Sequence, residues 1–160
     1  GVMKSKWAAG NIVRIDLNAD RHCYGQVACN PLIVFFAGTY DEEVALDRIP
    51  ALPVAFKLWV MKYALTKGIW RVLGNRDLTS ENAAEPYFFK QDIFSGRLAI
   101  HHSTFAATNW ERPATLPECL ALECAAVWDP EHVEDRLRDL AEGRPNKWVE
   151  SLAIDRAKLG

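Results

Sequence analysis

Apolar and polar positions interleave from the first structured stretch onward. Residues 11–17, NIVRIDL, alternate closely enough to predict a strand with apolar character on both faces. NADRH follows, rich in turn formers, and CYGQVA at 23–28 predicts a second strand. After the break at Asn30-Pro31, the unbroken apolar run LIVFF at 32–36 predicts a third, central strand. Links this short imply an antiparallel meander. VAFKLWVMKYAL, 54–65, fits two patterns: Val54, Leu58, Met61 and Leu65 share a helix face, whereas Val54, Phe56, Leu58 and Val60 share a strand face. Its β-branched and aromatic content, and the TKG that follows, favour a hairpin into GIWRVLGN, 68–75. Residues 86–92 and 96–104 predict a further strand pair about Ile93, Phe94, Ser95 and Gly96. About seven strands result, expected to form a mostly antiparallel, strongly bent sheet or a small barrel.

The period then changes. Pro113 and Pro117 mark the transition, and residues 116–128 predict a short helix followed by an extended run. WDPEHVEDRLRDL, 128–140, carries the clearest helix signals: Asp129 at the N-cap, Pro130 at the first helical position, and Glu131 where the helix dipole favours an anion. Val133, Leu137 and Leu140 share one face; Glu131, Asp135, Arg138 and Glu142 share the other, flanked by Glu134 and Asp139. Gly143 sits at the C-cap position and Pro145 stops continuation. The tail at 146–159 predicts one more short helix. The expected class is α+β in one domain spanning 1–160: residues 1–5 disordered or an expression scar, a β-rich part at 6–104, and one or two helices within 113–160.

A chain of 160 residues, 49% hydrophobic and 25% charged, is long enough for a real core. The net charge of −2 argues against a strong nucleic-acid field, and it is unevenly spread. Residues 1–90 hold 11 Lys and Arg against 9 Asp and Glu, whereas residues 91–160 hold 8 against 12. No apolar run is long enough to span a bilayer, the N-terminus lacks a signal-peptide layout, and a cytoplasmic location is expected. Cys23, Cys29, Cys119 and Cys124 show no metal-ligand or disulfide spacing, so free thiols, no metal and no cofactor are expected.

Motifs for nucleophilic, zinc-dependent or nucleotide chemistry are missing from the chain, so no catalytic residue is assigned. His101-His102 is the most tempting pair, but neighbours on a strand face opposite ways, so one packed and one solvated histidine is expected. An unrecognised hydrolase using either would need a pocket holding a carboxylate or thiol beside the ring. Basic and aromatic residues mix in 57–76, at Lys57, Trp59, Lys62, Tyr63, Lys67, Trp70, Arg71 and Arg76. They would suit a barrel module that binds nucleic acid or peptide, or an ordinary sheet with one wet face. The acidic face of 129–142 likewise has two readings, a solvated surface or a docking surface for a basic partner. Of the six tryptophans, Trp128 and Trp148 are the candidate contact residues, against a default of core packing.

Trp7 with Gly10-Asn11-Ile12-Val13-Arg14-Ile15, then Tyr24-Gly25-Gln26-Val27, then Ile33-Val34-Phe35-Phe36 resemble the opening of the immunity protein 26 family of bacterial polymorphic toxin systems. Residues 70–74, WRVLG, and 122–129, LECAAVWD, are compatible with its later blocks, so the resemblance runs from about residue 6 to about residue 152. A Gly-Asp is expected more often where this chain has Gly10-Asn11, a change that keeps a turn former. The resemblance implies a non-enzymatic inhibitor that binds the toxic domain of a cognate toxin in the cytoplasm. Many such toxins attack nucleic acid and carry basic clefts. On that basis Trp128, Glu131, Glu134, Asp135 and Asp139 are the expected toxin-binding residues, the acids steering association and the indole anchoring it. A homodimer through an open sheet edge is also conceivable from the sequence.

Overall fold

The computed structural model describes residues 5–103 and 109–159. The expectation for residues 1–4, and for residue 104 as a strand end, lies outside them. The Ser5 hydroxyl accepts from the Trp7 N–H at 3.1 Å and its carbonyl accepts from the Asn11 side-chain amide at 3.1 Å.

Ten strands are present among the described residues, in two sheets of six and four. In chain order they are β1 (Asn11–Asp16), β2 (His22–Cys29), β3 (Leu32–Phe36), β4 (Val54–Val60), β5 (Arg71–Asn75), β6 (Phe88–Gln91), β7 (Leu98–Ser103), β8 (Asn109–Pro113), β9 (Glu123–Cys124) and β10 (Val127–Trp128). The helices are α1 (Tyr63–Thr66), α2 (Ser80–Ala83), α3 (Leu116–Cys119), α4 (Pro130–Glu142) and α5 (Lys147–Ser151). The first sheet has the order β10-β4-β3-β2-β1-β5 and the second β8-β7-β6-β9. Each is antiparallel except at one edge, where the two-residue strands β10 and β9 join β4 and β6 in parallel. The α+β class and the C-terminal helices are as expected, but neither sheet is closed or curled, so the expected barrel or strongly bent single sheet is corrected to two open, mixed sheets.

The physical reason lies in how the six-stranded sheet is covered. β2 is buried along almost its whole length and β3 along all of it, so both faces of the sheet need a cover. One face carries Val13, Phe35 and Phe56. Trp70 meets Phe35 edge-on with centroids 5.5 Å apart, and the Arg136 guanidinium of α4 lies 3.9 Å from the Phe56 ring. Tyr24 and Gln26 point to the other face, where Val44 N–H donates to the Tyr24 hydroxyl and the Asn82 side-chain amide of α2 donates to the Gln26 side-chain oxygen, Oε1. A sheet with a layer on each face has no need to close on itself.

The expected hairpin between 54–65 and 68–75 does not form. β4 pairs with β3, whereas β5 pairs with β1 at the far edge. The link folds into α1 and buries Ala64, Leu65 and Trp70 on its way across. Gly68, at φ +70°, ends that helical turn by donating its N–H to the Leu65 carbonyl, so TKG is a helix stop and not a hairpin turn.

Gly10 has φ +91°, and a Cβ there would stand 2.6 Å from the Arg76 carbonyl oxygen. A buried amide network surrounds this corner. Asn11 donates to the Ser5 and Lys6 carbonyls and accepts from Asn75, while Gln26 donates to the Gly10 and Arg76 carbonyls.

The described residues fall into two compact units. One comprises 5–84 with 127–146, and the other 85–103, 109–126 and 147–159. In the second, Phe89, Leu98, Ile100 and Cys119 form a small core lined by Leu116, Leu122 and Ile154. The β6–β7 pair expected about residues 93–96 is present, with Phe88 opposite His101 and Gln91 opposite Leu98.

Candidate functional site

α4 begins and ends where the local signals place it. Asp129 is the N-cap residue, Pro130 opens the helix, and Gly143 closes it at φ +67°. The Asp129 carboxylate does not cap the helix, however. It accepts from the Tyr63 hydroxyl at 3.1 Å, and Glu131 accepts from the same hydroxyl at 2.9 Å. Desolvation and these two acids push the Tyr63 hydroxyl above its ordinary value. Val133 and Leu137 are buried as the apolar face requires, but Leu140 is 53% exposed.

The acidic residues divide into two kinds. Glu134 faces inward: its side chain is 17% exposed, accepts from the Trp70 indole N–H at 3.0 Å and lies 3.5 Å from Arg138. Burial raises its carboxyl above the ordinary value, against the opposing effects of Trp70 and Arg138. Asp139 secures the end of the helix, accepting from the Asn146 amide at 2.9 Å with Arg144 at 3.3 Å. Glu131 and Asp135 keep their carboxylates in contact with water; Asp135 is paired with Arg138 at 3.2 Å with 43% of its side chain exposed. Arg138 is held in turn by the Leu17 carbonyl at 2.6 Å.

Trp128 is 5% exposed and lies on β10, with the Arg136 guanidinium 5.3 Å from its ring. In the free chain it is a core residue under α4. Exposed apolar side chains sit beside it instead. Val127 is 53% and Met61 41% exposed, and the Met61 N–H donates to the Trp128 carbonyl at 2.9 Å. No sequence signal singled out Met61 or Val127, because their exposure follows from β10 joining the edge of β4 in parallel.

Of the basic and aromatic residues of 57–76, Lys67 lies over the Tyr63 ring at 5.4 Å, but Lys57, Trp70 and Arg76 are engaged elsewhere. Lys57 donates to the Glu81 and Ala84 carbonyls, Trp70 is buried on Glu134, and Arg76 pairs with Asp47 on the β5 side. His101 and His102 do face opposite ways. His101 is 5% exposed with its Nδ1 3.0 Å from Glu111, and His102 stacks on Tyr87 at 4.3 Å. Lys90 also pairs with Glu111 and, ahead of His101, holds that carboxyl below its ordinary range. Glu111 and Lys90 line a groove of about 670 Å³, but His101 is not among its walls. Among the described residues, no group of three or more His, Cys, Asp or Glu side chains is placed to hold a metal, and no helix is long and apolar enough to cross a membrane. The four cysteines are free thiols, Cys29 exposed and Cys23 buried, with burial pushing the Cys23 thiol up to about 12.

No curated protein and no solved structure matches the chain. The family model described as Immunity protein 26 matches residues 8–98, more than half of the sequence. That stretch holds β1 to β6 and the turn after β6, while α4 follows it. With the β1–β3 meander, Trp70 and β5 all inside the match, the chain belongs to the immunity protein 26 family, and that membership implies a toxin-neutralising immunity protein.

Proposed function

We propose that this protein neutralises its cognate toxin in the cytoplasm by direct contact, without catalysis, using the exposed start of α4. Family membership carries the reading. The choice of surface rests on the partly exposed carboxylates of Glu131 and Asp135, held by Tyr63 and Arg138, together with the exposed apolar side chains of Met61 and Val127. Such a patch suits a basic, nuclease-like toxin domain: the acids accelerate encounter and the apolar contacts hold the complex. Glu134 and Asp139 serve the same surface from within, by fixing α4 to Trp70 and to Asn146. Trp128 supports it from below.

The test is co-expression. The C-terminal domain encoded by the neighbouring open reading frame is expressed in a naive bacterium with and without this protein. Restored growth and one-to-one co-purification are expected. If that domain kills equally in both cases, the pairing is wrong. In the purified pair, Glu131→Lys with Asp135→Lys should slow association at least about tenfold at low ionic strength, with the gap closing as salt rises. An unchanged on-rate would remove this face from the interface.

A further inference from the structure

β3 leads into a strap, residues 37–45, that folds back to the start of β2. Among the described residues, its polar ties to the sheet are few. His22 N–H donates to the Tyr40 carbonyl at 2.9 Å, and Tyr40 N–H donates to the His22 carbonyl at 2.8 Å. Val44 N–H donates to the Tyr24 hydroxyl at 2.9 Å. Glu43 stands 3.9 Å from Arg14, while Asp41, Glu42 and Glu43 are exposed. The His22 side chain is enclosed at this junction. It is 2% exposed, its Nε2 lies 2.7 Å from the Tyr24 hydroxyl, and the Tyr40 ring is 6.3 Å away.

Donor count fixes the direction of these bonds. The Tyr24 oxygen already accepts the Val44 N–H, so its single proton goes to His22. Nε2 is therefore the bare nitrogen of a neutral imidazole. Protonation would turn Nε2 into a donor. The hydroxyl would then face two donors, its own proton would lose its acceptor, and a charge would be enclosed beside the strap.

We propose that His22 is a proton-operated latch: the neutral ring holds Tyr24 where it grips Val44, and the imidazolium releases residues 37–45 from β2. The inference is independent of the toxin reading and of α4. The charged groups about the ring come from two elements. On β1, Asp16 stands opposite His22 in the register and pairs with Arg14; on the strap are Asp41 and Glu43. Tyr24 and Tyr40 are the other titratable neighbours. Arg14 opposes a second cation and the three acids favour one, but burial is the largest effect and holds the imidazole below its ordinary 6.5. With the folded value depressed, the open strap takes up the proton more readily than the closed one. The closed strap is thus fully stable above pH 6.5 and is weakened as the pH falls below it. Release would carry three acidic side chains off the sheet and widen the recess of about 410 Å³ that Tyr24, Glu43 and Val44 line with Leu73.

The experiment follows backbone amide exchange in the full chain by NMR at pH 7 and pH 5, each rate taken relative to an unstructured peptide at the same pH. Protection of the Tyr40 and Val44 amides should fall at least about tenfold on acidification, while that of Val34 in β3 holds. His22→Gln offers Tyr24 an acceptor that does not titrate, so the fall should vanish. Tyr24→Phe removes the grip on Val44, and the strap amides should be poorly protected at both pH values. Equal protection at pH 7 and pH 5 in the wild type would overturn the latch. So would a fall that His22→Gln retains, or one shared equally by Val34, which would report loss of the whole fold. Should His22→Gln not fold, Tyr24→Phe decides: a Val44 amide as well protected as in the wild type would overturn the latch.

Discussion

The Trp70 indole N–H donates to the Glu134 carboxylate across 3.0 Å, joining the β4–β5 crossover to the middle of α4. Trp70 is 1% exposed and its ring lies on Phe35 in the sheet, so this bond ties the covering helix to the sheet through one side chain. Trp70→Phe would keep most of the packing and remove the donor. The half-buried carboxylate would then keep only Arg138, 3.5 Å away, and a loss of about 1–2 kcal/mol is expected from urea unfolding.

The same carboxylate sets a pH dependence. Burial raises the folded-state value of Glu134 above the ordinary 4.5, so the folded chain takes up its proton more readily than the unfolded chain. Ionisation therefore costs stability, and the cost develops as the pH rises from the unfolded value through the folded one. Glu134→Gln retains an acceptor for Trp70 and cannot ionise. Relative to wild type, its urea midpoint should rise between pH 4 and pH 7 and should equal or exceed the wild-type midpoint at pH 7.

Asn11 is buried where the family resemblance leads one to expect an aspartate. Its amide donates to the Lys6 carbonyl at 2.8 Å and the Ser5 carbonyl at 3.1 Å, and an aspartate has no N–H to give. Asn11→Asp would press a carboxylate against two carbonyl oxygens. A loss of about 2–4 kcal/mol, read by chemical denaturation at pH 7, is the expected outcome.

Arg136 lies 3.9 Å from the Phe56 ring and 5.3 Å from Trp128. Arg136→Ala should cost about 1–2 kcal/mol and open Trp128 to water. In a chain whose only tryptophan is Trp128, the emission should shift to the red in the Arg136→Ala variant; an unmoved spectrum would mean that other groups keep the ring dry.

Much of this structure was legible in the sequence wherever the signal was local. The β1–β3 meander, the β6–β7 pair and α4 each lie close to where alternation, Pro130 and Gly143 place them. The hairpin expected after β4 failed because a glycine with positive φ serves a helix stop as readily as a turn, and Gly68 does the former. β9 and β10, with two residues each, are too short to carry a period, and they decide which edge strands exist. The burial of Trp128 and Glu134 depends on Arg136 and Trp70, and Trp70 is 64 positions away from Glu134, so no window along the chain contains that bond. The mix of solvated and engaged acids on α4 was beyond a reading of spacing alone for the same reason.

The division of the chain has a consequence for its synthesis. The six-stranded sheet is complete only when β10 and α4 arrive from residues 127–146, after the whole of 85–126 has been made. A ribosome adds about 5–20 residues per second, so roughly 3–12 s separate residue 84 from residue 146. During that interval Phe35, Phe56 and Trp70 have no helix above them, and the nascent chain is open to chaperones and to self-association.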